Sequence, residues 1–121
     1  MNAEQMKDRV LEVIDDAKGL NPVALDVRGL TDITDFMVVV TGTSDRHVKS
    51  IADKVDDGLR SKGCRPLGTE GEKSRDWVLI DFGDVVVHVM TATTRGFYDL
   101  EKLWGVEQRV GDNARREQGS D

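Results

Sequence analysis

Apolar residues recur at helical spacing at Met6, Val10, Val13, Ile14 and Ala17, which predicts a first helix. Asn2 stands at its N-cap, Gln5 can complete a capping box, and Gly19 closes the segment. After Asn21-Pro22 the period changes to two, with Val23, Leu25 and Val27 alternating with Ala24 and Asp26, as in a strand with one buried face. The unbroken run from Phe36 to Thr41 reads as a central strand covered on both faces. Gly42-Thr43-Ser44 turns the chain into a second helix with the stripe Val48, Ile51, Ala52, Val55 and Leu59, weakened by Gly58 and ending at Lys62-Gly63. Pro66 to Arg75 reads as an exposed loop, with a short strand at Cys64 to Leu67 as an option. Trp77 to Phe82 and Val85 to Met90 flank Gly83-Asp84, the pattern of a type II′ hairpin. Thr93 or Thr94 can cap a last helix carrying Phe97, Leu100, Leu103 and Trp104, stopped by Gly105.

The order helix, strand, strand, helix, hairpin, helix predicts an α/β fold of one domain, a mixed sheet flanked by helices, over residues 1–105. Residues 106–121 have almost no apolar content and are expected to form a disordered polar tail. The length of 121 residues suits a single core. No repeat or second domain is visible.

Charge narrows the function. A formal net charge of -6 argues against a protein that grips nucleic acid through its phosphates and suits a basic protein partner. A single cysteine, Cys64, allows no internal disulfide or cysteine-rich zinc cage, and Arg65 alone does not activate it. With no signal-like start and no long apolar run, a cytoplasmic protein without a membrane span is expected.

Candidate chemistry is sparse. Gly42-Thr43-Ser44-Asp45 could cradle phosphate at a helix start, but no Gly-Lys-Ser/Thr follows, and the same residues serve as an ordinary N-cap. A Gly-Ser turn after a strand also fits nucleotidyltransferases, which need paired carboxylates for Mg²⁺. Asp76, Asp81 and Asp84 offer no Asp-x-Asp pair, so a nucleotide-using enzyme is the weaker alternative. His47 and His88 are too isolated for a metal site. Asp32, Asp35, Glu70 and Glu72 are exposed carboxylates that gain interest only if their loops meet at one edge. Trp77, at a strand end beside a charged loop, is the best binding anchor, while Tyr98 falls beside the stripe of the last helix.

Several blocks together resemble one known family. Ala24-Leu25-Asp26-Val27, Ile33-Thr34-Asp35-Phe36, Gly42-Thr43-Ser44 with Arg46-His47-Val48, Glu70-Gly71, Asp76-Trp77-Val78, Asp81 with Gly83 to His88, and Arg95 to Trp104 are similar, in this order, to the ribosomal silencing factor (Iojap-like) family. That resemblance implies a nucleotidyltransferase-like topology without catalytic carboxylates, and neither catalytic, cofactor-binding nor metal-binding residues. It implies a homodimer when free, and docking on the intersubunit face of the large ribosomal subunit at ribosomal protein fourteen of that subunit. Docked there, the protein would block association with the small subunit and repress translation when nutrients are limiting or in stationary phase. Organellar relatives are linked to large-subunit assembly. By the same resemblance the partner-facing residues are Asp76, Trp77, His88, Arg95, Tyr98 and Glu101, while Phe36 and Phe97 serve packing.

Overall fold

The computed structural model describes residues 1–103. Helix α1 spans Ala3–Asp16, and its start is the expected capping box. The Asn2 side chain accepts from Gln5 N at 2.8 Å, and the Gln5 side chain accepts from Asn2 N at 3.0 Å. Asn2→Ala should therefore lower stability by about 1 kcal/mol, read as a fall in the urea midpoint at unchanged slope. An unchanged midpoint would mean that the cap contributes nothing. The helix closes differently from expectation: Lys18 (φ 61°), not Gly19, takes the left-handed position.

Strands β1 (Leu20–Asp26) and β2 (Phe36–Gly42) pair antiparallel. Helix α2 (Asp45–Arg60) follows, then β3 (Gly68–Glu70), β4 (Trp77–Asp81), β5 (Val85–Thr91) and α3 (Ala92–Tyr98). The sheet order is β1-β2-β5-β4-β3, with β2 and β5 parallel and the other pairs antiparallel. The short extra strand thus falls within the stretch expected as loop, just after Cys64 to Leu67. The α/β class, a mixed sheet flanked by helices, is as the sequence predicts.

Every residue of β2 is buried, because α1 and α2 cover one face of the sheet and a second cluster covers the other. The α2 stripe Val48, Ile51, Ala52, Val55 and Leu59 packs with Val10, Val13 and Ile14 of α1 on Phe36, Val38, Val87 and Val89. Each Val, Leu or Ile side chain so removed from water contributes roughly 1.5–3 kcal/mol. Gly58, unfavourable by propensity, sits where the two helices approach: a Cβ there would lie 2.6 Å from Val13 Cγ2. Its carbonyl also accepts from Arg9 Nε at 3.3 Å.

The opposite face carries Leu25, Val27, Met37, Val39 and Met90, with Val23, Trp77 and Leu100 against them. Two expectations fail on this side. The last helix is capped by Thr91, whose hydroxyl accepts from Thr94 N, and so begins directly off β5. It then ends at Asp99, left-handed at φ 46°, before residues 100–103 turn helical again. That break shifts the helical phase, leaving Phe97 80% exposed and Leu103 72% exposed where packing was expected. Trp104 and the expected tail lie outside the described residues. No helix among the described residues is long and apolar enough to cross a membrane.

Candidate functional site

Alternation along β4 points Val78 and Ile80 into the helix-covered core, which leaves Trp77, Leu79 and Asp81 on the other face. Register with β5 sets Trp77 opposite Met90 and Leu79 opposite His88. The indole of Trp77 reaches diagonally, and its Nε1–H donates to His88 Nδ1 at 3.0 Å. Helix α3 folds back so that Tyr98 lies against Trp77, ring centroids 4.6 Å apart, with Phe97 edge-on to Tyr98 at 5.0 Å. These separations fall in the favourable range for aromatic pairs.

Arg95 holds this helix in place. Its Nε donates to Glu101 Oε1 at 2.7 Å and its guanidinium also donates to Thr41 Oγ1 at 2.9 Å, at the end of β2. The two charged side chains are 11% and 20% exposed, so they are committed largely to each other.

The loop after β3 forms the opposite wall. Gly71 has φ 87°, and Arg75 N donates to its carbonyl at 3.0 Å, closing a turn beside Trp77. An open cleft of about 410 Å³ results, lined by Glu70, Gly71, Ser74, Asp76, Trp77, Leu79 and Tyr98. Two aromatic side chains and two carboxylates around an apolar floor can receive a cationic side chain, through the ring faces and the carboxylates together.

Of the six residues expected to face a partner, Asp76, Trp77 and Tyr98 line the cleft; His88 is buried behind Trp77, and Arg95 and Glu101 pair beneath α3. Ser74 and Leu79 escaped the sequence reading, although Leu79, two residues beyond Trp77 on one strand, was within reach of the alternation argument. The carboxylate loops do not converge. Asp35 N donates to the Asp84 carbonyl beside the start of β5, whereas Trp77 pairs near that strand's end, roughly 17 Å along it.

The other candidates resolve into structure. Ser44 caps α2 by accepting from His47 N at 3.1 Å, and Thr43 N donates to His47 Nδ1 at 2.9 Å, so two amides of that turn, those of Thr43 and His47, are engaged within the fold. Asp81 Oδ1 accepts from Gly83 N at 2.8 Å in the hairpin turn, where Gly83 has φ 88°. Among the described residues no group of three or more His, Cys, Asp or Glu side chains is placed to hold a metal ion.

Burial pushes His88 down from an ordinary 6.5 to about 4. The folded state thus resists protonation that the unfolded chain accepts. The stability this contributes is complete above pH 6.5 and is lost as pH falls from 6.5 towards 4. At 1.4 kcal/mol per pH unit the loss approaches about 3 kcal/mol. Urea unfolding at pH 7 and pH 4 should show the wild type losing about that much more than His88→Phe, which has nothing to protonate. Equal losses would mean that His88 titrates normally.

Comparison with known proteins gives this constellation its context. The family described as "Ribosomal silencing factor during starvation" matches residues 1–121. The ribosomal silencing factor of Chromobacterium violaceum is 42% identical over 105 residues, covering 87% of this chain and 86% of that protein. A crystal structure of a protein from the same species superposes with a TM-score of 0.85 at 42% identity, covering 87% of this chain and 88% of that one. The mouse protein named for mitochondrial assembly of the ribosomal large subunit is 38% identical over 74 residues, 59% of this chain and 32% of its own length. The chain belongs to the ribosomal silencing factor family.

Proposed function

We propose that this protein docks on the large ribosomal subunit, at ribosomal protein fourteen on its intersubunit face, and thereby blocks association with the small subunit. Translation is repressed in consequence when nutrients are limiting. The mechanism is occupancy of a surface that another large body must approach, and it requires no catalysis. The protein acts in the cytoplasm and is a homodimer when free.

The observation that carries this reading is the cleft: Tyr98, 52% exposed, and the partly exposed Trp77 line it together with Glu70 and Asp76. Trp and Tyr anchors dominate interface energetics, and carboxylates beside them select a basic partner. The net charge of -6 supports the same choice. The names of the relatives point to the ribosome, and that of the mouse protein to its large subunit. Asp76, Trp77 and Tyr98 meet the partner directly, and His88, Arg95 and Glu101 support them from behind. A contact of roughly 1,600 Å² in total is enough for specific binding.

Sedimentation tests it. Purified large and small subunits are mixed with the protein and run through a sucrose gradient. The protein is expected to travel with large subunits and to deplete the joined ribosome peak. If it stays at the top of the gradient while the subunits join normally, the docking reading is wrong.

A further inference from the structure

The two imidazoles of this fold are satisfied differently. His47 uses both ring nitrogens, with Thr43 N donating to Nδ1 and Nε2 lying 3.0 Å from the Ala17 carbonyl. His88 uses one: Nδ1 accepts from Trp77, and the buried Nε2 has no hydrogen-bond partner among the described residues. An indole N–H can only donate, so Nδ1 must be bare and the proton of the neutral ring must sit on Nε2. A buried N–H without an acceptor is unfavourable, and the valines flanking His88 on β5 carry no such cost. What the fold gains is a fixed acceptor for one edge of Trp77, whose face is held by Tyr98.

We propose that His88 is a positioning residue for partner recognition, acting through Trp77: its bare Nδ1 fixes the indole in the orientation that packs, tilted by 49°, against Tyr98 and walls the cleft. The inference rests on the cleft being the docking site. His88 then stands behind the interface and orders the anchor before the partner arrives. Binding loses less freedom when an anchor is already held in place.

The test begins with the wild-type chain, isotope-labelled for NMR. The Trp77 indole signal is distinguished from that of Trp104 by its disappearance in Trp77→Phe. A through-hydrogen-bond coupling from the Trp77 indole to His88 Nδ1, with imidazole nitrogen shifts of the Nε2–H tautomer, is the expected result. The opposite tautomer, or no coupling, overturns the proposal without any variant having to fold. Affinity for large subunits is then measured for His88→Phe and His88→Asn. The first removes the acceptor, and the second keeps an oxygen near the place of Nδ1. His88→Phe should lose exchange protection of the indole N–H and bind about tenfold more weakly, and His88→Asn should recover to within about threefold of wild type. Equal weakening in both variants, with the indole held in His88→Asn, would assign His88 a different role and overturn the inference. Coupling in a wild type that binds no large subunits supports the imidazole–indole lock and overturns the docking reading instead.

Discussion

Trp77→Ala should weaken binding to isolated large subunits about 30- to 1,000-fold, or about 2–4 kcal/mol, as expected for truncation of a central aromatic anchor. Three losses combine. The wall of the cleft disappears, Tyr98 loses the ring it lies against at 4.6 Å, and His88 Nδ1 loses its donor. Because Trp77 also packs on the cluster of Leu25, Val39 and Met90, some destabilisation accompanies the loss of binding. Urea unfolding separates the two effects, since a variant still folded at the assay temperature must show the affinity loss as a property of its surface. Asp76→Asn should act differently, changing association and its salt dependence more than the packing of the anchor. Wild-type affinity in a folded Trp77→Ala protein would move the docking site away from this cleft.

The sheet was legible because its elements rest on local rules. Asn2 and Gln5 announce α1, the apolar run from Phe36 names a strand buried on both faces, and Gly83-Asp84 marks the hairpin. The errors fall where a long-range contact or a single backbone angle decides. Gly68, Thr69 and Glu70 form β3 because β4 pairs with them, and three residues are too few to show a period. Phe97 fits a helical stripe only if the helix runs on to Trp104, but the left-handed turn at Asp99 breaks the phase. The same turn turns Phe97 and Tyr98 outward, 80% and 52% exposed, and thus supplies one wall of the cleft.

The candidate site was half legible for a related reason. Trp77 stands out through its residue type and its place at a strand end, and Asp76 follows as its neighbour. Arg95 and Glu101 stand out equally in the sequence, yet their bond to each other and the reach of Arg95 to Thr41 depend on how α3 folds back. No spacing rule connects Thr41 with Arg95. The division between residues that line the cleft and residues that hold its wall emerges only in three dimensions.

Gly71→Ala should cost about 4 kcal/mol of folding stability, the largest effect expected of a Cβ added at any glycine among the described residues. Part of the cost is conformational, because φ at Gly71 is 87°, where an L-residue with a Cβ is strained by about 1–2 kcal/mol. The remainder is steric. A Cβ on this residue would lie 1.9 Å from the carbonyl oxygen of Trp77, and the obstacle is backbone, so no side-chain rotation relieves it. Either the loop lifts away from β4 or β4 shifts against β5, and forcing atoms into a packed site costs about 1–3 kcal/mol. Both routes move the wall of the cleft that faces Tyr98. Thermal melting should therefore fall by roughly 15 °C, with binding to large subunits lost at temperatures where the variant is still folded. Gly68→Ala is the matched control, since a Cβ there meets nothing within 4 Å and φ is unexceptional. A Gly71→Ala protein as stable as Gly68→Ala would show that the turn is not held against the Trp77 carbonyl, and the cleft would lose the constraint that shapes it.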